Sequence, residues 1–148
     1  MVAKVIKKFS SAPGDDILRF FEIVLFCFVI GNNDMHLKNF SLISEDPKLV
    51  VLSPTYDLLS VRLLLSERED SEELALTLNG KKRKITGSDF LQFATSIGLP
   101  PKVSQMVINR QVKARTKMIQ MLEKSFLDTE LQASLKKIID CKLSIFSA

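Results

Sequence analysis

A chain of 148 residues, 46% hydrophobic and 26% charged, has enough apolar material for one folded core and is a poor candidate for disorder. Its net charge of +4, from 21 basic and 17 acidic residues, is too small by itself to indicate a nucleic-acid partner. The two cysteines, Cys27 and Cys141, lack metal-ligand spacing and a disulfide framework, which favours a cytoplasmic location, and the lone His36 excludes a site built from several imidazoles.

Residues 1 to 14 are basic and then turn-like, ending in Pro13-Gly14. Asp15 or Asp16 is placed to cap the helix that follows and suits its positive end. Ile17 to Ile30 is apolar on nearly every side and predicts a helix central to the core, with Phe20, Phe21, Phe26, Cys27 and Phe28 inside. The run is 14 residues long with Arg19 and Glu22 within it. A membrane-spanning helix needs about 20 apolar residues, and the run starts too far into the chain for a signal peptide, so no membrane partner is expected. Gly31-Asn32 ends the helix, because both residues tolerate left-handed backbone angles.

A polar knot from Asn32 to Asn39 follows, then Phe40 to Ile43 with strand composition, a turn at Ser44-Glu45-Asp46-Pro47, and a second short strand at Leu49 to Leu52. Pro54-Thr55-Tyr56-Asp57 closes this hairpin-like unit, with Tyr56 a packing residue, and Leu58 to Leu65 suits either helix or strand. After a charged loop at residues 66 to 73, Leu74 to Leu78 alternates with period two, and Asn79-Gly80 is a hairpin turn signal. The basic partner, Lys81 to Ile85, reads as an exposed strand, either solvated or a contact surface for an anionic partner.

The remainder reads as helical. Ser88 to Ile97 is stopped by Gly98, and Pro100-Pro101 opens a long helix with Val103, Met106, Val107, Arg110, Ala114, Met118 and Leu122 along one stripe. Arg110, Lys113, Arg115 and Lys117 lie on its wet side, where a DNA recognition helix is the competing reading. The last helix starts at Asp128 or Thr129 and carries Leu131, Leu135, Ile138 and Phe146 on one side. The expected fold is α+β, mainly α-helical, with two small β-hairpins and one domain over residues 1–148.

Asp34 and Asn39 stand five positions apart, the offset of the catalytic Asp and the metal-binding Asn in protein-kinase catalytic loops. That pairing has a physical basis. The carboxylate accepts the proton of a substrate hydroxyl, and the amide oxygen is a neutral hard ligand for magnesium beside the phosphates. A second carboxylate is then needed at the metal, and Asp57 follows Asn39 across a strand pair, as the metal-binding Asp does in kinases. Its context is Tyr56-Asp57-Leu58 rather than Asp-Phe-Gly, which sets it apart from ordinary eukaryotic protein kinases.

The stretch Gly31-Asn32-Asn33-Asp34-Met35-His36-Leu37-Lys38-Asn39-Phe40-Ser41-Leu42 resembles the catalytic-loop signature of HipA-like kinases, and Leu52-Ser53-Pro54-Thr55-Tyr56-Asp57-Leu58-Leu59-Ser60 resembles their metal-binding signature. Leu78-Asn79-Gly80-Lys81, Ile85-Thr86 and Asp89-Phe90 match the family's style, and the resemblance covers about residues 9 to 120. It implies a kinase C-lobe fold and a protein serine/threonine kinase using Mg2+ and ATP, the toxin of a type II toxin–antitoxin pair. The implied partners are a HipB-like helix-turn-helix antitoxin, DNA only through that antitoxin, and a protein substrate. By the same resemblance Asp34 is the catalytic residue, and Asn39 and Asp57 hold the metal. His36 and Lys38 either contact phosphate or position the loop. Eukaryotic kinases place a lysine two residues after the catalytic Asp, where this chain has His36.

The five glycines (Gly14, Gly31, Gly80, Gly87 and Gly98) form no phosphate-covering cluster, and about 30 residues precede the loop, too few for an ATP-gripping lobe. The expectation is a partial kinase, either a truncated piece of a longer chain or one whose N-terminal lobe is a separate polypeptide, and alone it transfers no phosphate. Two other readings stand beside it. One is a non-catalytic helical interaction module that keeps the loop for folding, since Asp and Asn cap turns well. The other is a small-molecule phosphotransferase sharing the Asp-to-Asn spacing, against which the Tyr-Asp-Leu motif and the downstream hairpin argue.

Overall fold

The longest apolar run forms α2 (Pro13–Ile30), and the rest of the chain packs around it in a computed structural model that describes residues 1–46, 49–65 and 70–146. Pro13 occupies the first helical position, where its missing N–H would have had no helical partner. Ala12 precedes it without a side-chain cap, so Asp15 and Asp16 sit in the first turn rather than at the cap. Gly31 ends α2 in the left-handed conformation (φ 71°), and a Cβ there would lie 2.8 Å from Arg62 Cβ. Only glycine meets both demands.

Ahead of α2 the basic segment is not unstructured. Val2–Phe9 forms α1, which buries Ile6 against the core while its lysines face outward. So short a helix is marginal alone, and packing against α2 and the sheet stabilises it. After the polar knot, β1 (Leu42–Asp46) pairs antiparallel with β2 (Leu49–Leu52), with Leu42 opposite Leu52, Ile43 opposite Val51 and Ser44 opposite Val50. The strand continues through Asp46 where a turn was expected, and Pro47 lies outside the described residues. Leu58 to Leu65 forms neither a regular helix nor a strand; only a 3-10 turn at Val61–Leu63 is regular, and Leu58, Leu59 and Leu64 are exposed. Residues 66–69 of the charged loop lie outside the described residues.

The second hairpin is reduced to its turn. Asn79 (φ 52°) and Gly80 (φ 77°) adopt the left-handed angles the turn requires, and the only bridge here joins Leu78 to Lys81. Leu74 and Leu78 are buried while Leu76 is only half-buried, so strict alternation fails. The basic strand is also less free than its composition suggests. Lys81 pairs with Asp89 at 2.8 Å and Lys82 with Glu72 at 2.9 Å.

Thr86 and Asp89 form a reciprocal capping box that starts α3 (Gly87–Ser96). The expected long helix divides at Ala114 into α4 (Pro101–Lys113) and α5 (Arg115–Glu123). The turn brings Arg115 against Asp140 of the last helix at 2.6 and 2.9 Å. The α4 stripe is offset, with Ser104, Val107 and Ile108 buried and Met106 exposed. Asp128 caps α6 (Thr129–Ser144) by accepting from the Leu131 N–H at 2.8 Å, and α6 buries Ile139 and Leu143 rather than the expected Leu131 and Ile138.

Phenylalanines hold the centre. Phe28 meets Phe90 edge-on at 5.1 Å between ring centres, Phe90 meets Phe146 at 5.4 Å, and Phe20 meets Phe40 at 5.2 Å. Such edge contacts add about 0.5–1.5 kcal/mol each beyond burial. Phe26 departs from the expectation: it is half-buried and walls a cleft with Arg19, Glu22 and Arg110. Among the described residues no helix is long and apolar enough to cross a membrane.

Two polar contacts set the geometry around this core. The buried Asp16 carboxylate accepts from Ser10 Oγ and from the Leu52 N–H, both at 2.7 Å, while Arg19 donates to the Leu52 carbonyl at 3.1 Å. The end of β2 is thereby fixed to the first turns of α2. Asp16→Ala would strand these donors and is expected to cost about 2–4 kcal/mol in urea unfolding; a loss below about 0.5 kcal/mol would contradict this role.

Asp89 supplies a pH signature. The Lys81 ammonium, helped by Thr86, holds its carboxyl down from 3.8 to about 2. A lowered folded pKa means stability that is full above the unfolded value and lost as pH falls through the folded one. Because Lys81 is half exposed, the contribution is discounted to about 1–2 kcal/mol. The stability gap between the native chain and Asp89→Asn is therefore expected to be constant above about pH 5 and to close between pH 3.8 and about 2, as read from urea midpoints across that range.

Candidate active site

Helix α2 delivers the chain to the site through its left-handed stop at Gly31, and the next residue, Asn32, is 1% exposed. Its amide reaches two segments. Asn32 Oδ1 accepts from the Asp34 N–H at 3.1 Å, and Nδ2 donates to the Asp57 carbonyl at 3.3 Å and to Cys27 Sγ at 3.9 Å. Burial pushes the Cys27 thiol up to about 12, so this sulfur is a neutral packing partner rather than a nucleophile.

From Asp34 the chain tightens into a 3-10 turn at Leu37–Asn39. The His36 N–H donates to the Asp34 carbonyl at 2.8 Å and to Asn39 Oδ1 at 3.3 Å. Buried Asn39 donates through Nδ2 to Asp57 Oδ2 at 2.6 Å. The two residues expected to share a metal are thus in direct contact. Asp57 is exposed and sits at a φ of 57°, unusual for a residue with a side chain. That conformation costs about 1–2 kcal/mol, and its contacts with Asn32 and Asn39 over-determine it.

The other candidates are placed less tightly. Asp34 points into solvent, with its side chain 71% exposed, and His36 Nε2 approaches its carboxylate at 3.9 Å. Lys38 is exposed, and its carbonyl accepts from Tyr56 Oη at 3.0 Å. Tyr56 is therefore a strut between the loop and the Asp57 segment. An apolar groove lined by Val5, Ile6, Leu37, Phe40, Leu42 and Leu52 opens beside the loop.

Among the described residues no three His, Cys, Asp or Glu side chains form a metal cage. The donor types present are ones a hard divalent cation takes, although Asn39 turns its amide nitrogen toward Asp57. Asn39 Oδ1 keeps a second lone pair beyond the one facing His36, and Asp57 keeps one carboxylate oxygen clear of the Asn39 contact. Magnesium is usually held by one or two carboxylates with water and substrate phosphates completing its shell.

Several contributors were not legible in the sequence. Asn33 is 8% exposed and donates to Asp70 Oδ2 at 2.6 Å and to the Glu72 carbonyl at 3.0 Å. Arg62 donates to the Asp70 carbonyl and, at 2.7 Å, to the Glu72 carbonyl. The one signal available was the double asparagine after a helix-ending glycine, which marks amides that satisfy a tight backbone.

A family model described as the HipA-like C-terminal domain matches residues 1–119. A Haemophilus influenzae protein provisionally named a kinase is 29% identical over 140 residues, covering 85% of this chain and 39% of the relative. A Sinorhizobium fredii protein, also provisionally named a kinase, is 36% identical over 88 residues, covering 60% of this chain and 21% of the relative. The fold matches a chain of the Shewanella oneidensis MR-1 complex of HipA, HipB and operator DNA with a TM-score of 0.73 at 22% identity, covering 99% of this chain and 34% of that one. The chain thus spans well under half the length of these relatives.

Asn32→Ala would free the Asp57 carbonyl and the Asp34 N–H together. The expected loss is about 1–3 kcal/mol in urea unfolding, and an unchanged midpoint would show that the two segments do not need this amide.

Proposed function

The chain belongs to the HipA-like C-terminal domain family, and from that membership we propose that it is the catalytic-loop and metal-binding part of a protein serine/threonine kinase. The observation that carries this reading is the 2.6 Å contact between Asn39 and Asp57, which joins two segments 18 positions apart, the first of them the turn that follows the exposed Asp34.

Each residue then has one task. Asp34, exposed and next to a loop held by Asn32, accepts a hydrogen bond from the acceptor hydroxyl and takes its proton. Asn39 and Asp57 offer hard oxygen atoms to Mg2+, which, when bound, neutralises charge on the transferring phosphates. His36 and Lys38 are exposed on the same turn and meet phosphate oxygens or hold the loop's shape. The phosphate-covering loop and its lysine come from an N-terminal lobe, consistent with relatives that are longer than this chain.

By the same reasoning the complete protein works in the cytoplasm as the toxin of a toxin–antitoxin pair. Its partner is a HipB-like helix-turn-helix antitoxin, and it reaches DNA only through that partner. The support is that one structural neighbour is a chain of a HipA, HipB and operator DNA complex. A second reading, an interaction module, draws on Asn39, whose amide bridges His36 and Asp57 and so also serves as a fastener.

Phosphoryl transfer separates the two readings. In a protein that joins this chain to an ATP-gripping lobe, Asp34→Asn is expected to lower turnover by about 100-fold to 10000-fold while thermal stability stays unchanged. Unchanged turnover would remove Asp34 from its role and leave the fastener reading. MgATP is also expected to bind this chain alone far more weakly than the joined protein, as measured by calorimetric titration. Equal affinities would refute the need for a second lobe.

A further inference from the structure

Asp34 stands on a stretch of backbone gripped from two sides. Its carboxylate is 71% exposed and its direction depends on the backbone on either side. Asn32 holds the Asp34 N–H. The other grip is on Asn33.

Both donor hydrogens of the Asn33 amide are used, on Asp70 Oδ2 at 2.6 Å and on the Glu72 carbonyl at 3.0 Å, while the buried Oδ1 has no hydrogen-bond partner. A buried amide oxygen without a partner is costly, so the two donated bonds must outweigh it. The bond to a carboxylate is the stronger kind. The amide therefore cannot flip without turning its oxygen toward two acceptors. Asp70 is itself held, since its Oδ1 accepts from the Glu72 N–H at 2.8 Å and its carbonyl accepts from Arg62. Arg62 returns to the start of the loop through its own N–H, which donates to the Gly31 carbonyl at 3.0 Å.

We propose that Asn33, Asp70 and Arg62 form a positioning clasp that sets the direction of the Asp34 carboxylate, so that the segment at residues 70–72 governs whether the loop can receive an acceptor hydroxyl. The proposal rests on the kinase reading for the task of Asp34, but the clasp itself is a property of this chain. None of the three is a catalytic residue; each acts through the backbone that carries Asp34.

Substitutions that conserve shape test this. Asn33→Asp keeps the outline and places a carboxylate against Asp70 and the Glu72 carbonyl, replacing attraction with repulsion. Asp70→Asn alone leaves one acceptor oxygen where Asp70 uses two, so it keeps the bond from Asn33 or the bond from the Glu72 N–H but not both. The double variant restores one Asn–Asp hydrogen bond with the roles reversed. The readout is amide hydrogen exchange and NMR linewidth at Asp34 and His36 in the metal-free chain, with global stability measured alongside.

Asn33→Asp is expected to speed exchange at these amides by about tenfold or more. Asp70→Asn should speed it less, and the double variant should recover a substantial part of the native protection, a coupling that a double-mutant cycle isolates. Unaltered Asp34 and His36 amides in Asn33→Asp would overturn the clasp. So would a double variant no better protected than Asn33→Asp, or losses that follow global stability equally at all amides. If Asn33→Asp does not fold, Asp70→Asn decides alone, by selective loosening at Asp34 and His36 or its absence. Because the readout needs neither metal nor nucleotide, failure of the kinase reading and failure of the clasp give different results.

Discussion

A single side-chain contact ties the site together: the Asn39 amide against the Asp57 carboxylate at 2.6 Å. It closes a loop of chain that leaves the end of α2, runs through β1 and β2, and returns. For the contact to form, both ends of that loop must be fixed. Asn32 fixes them near the site by bonding to Asp34 on one side and Asp57 on the other. Asp16 and Arg19 fix the end of β2 one α-helical span away. The phenylalanines of α2 hold the helix that carries both grips.

The chemistry of these fasteners follows from what they sit beside. Asn32, Asn33 and Asn39 are buried and neutral, so they form strong directional bonds without the desolvation cost of buried ions. Around the loop itself, negative charge is left where it is exposed, at Asp34 and Asp57. A neutral buried frame presenting exposed carboxylates leaves charge open to solvent, as the proposed cation and proton chemistry would need. The strained backbone of Asp57 fits the same scheme, since the frame around it stabilises a conformation the residue would not adopt alone.

What was legible in the sequence was local. The spacing of Asp34 and Asn39, the position of Asp57 after a strand pair, the apolar length of α2 and the helix-stopping Gly31 all lie within short windows where side-chain type constrains geometry. What was hidden depends on distant partners. Asp16 reads as a helix cap, yet it lies buried in the first turn because β2 lies across it. The basic run after Gly80 reads as an exposed strand, but Asp89 and Glu72 claim two of its lysines and the ladder stops at one bridge. Helix α1 is too short to be secure from its own pattern. The division at Ala114 carries no glycine or proline to announce it, and the pairing of Arg115 with Asp140 is a long-range fact. Asn33 and Asp70 belong to this second class, because 37 positions separate two residues that meet only in the folded chain.

The most direct test of the account is to titrate Mn2+ into the isolated chain while following the side-chain amide resonances of Asn39 by NMR. If Asn39 and Asp57 are a metal pair, these signals broaden selectively at low occupancy, and the effect disappears in Asp57→Ala. Broadening that leaves Asn39 untouched while affecting other carboxylates would show that the Asn39–Asp57 contact only fastens the fold, and the catalytic reading would fall with it.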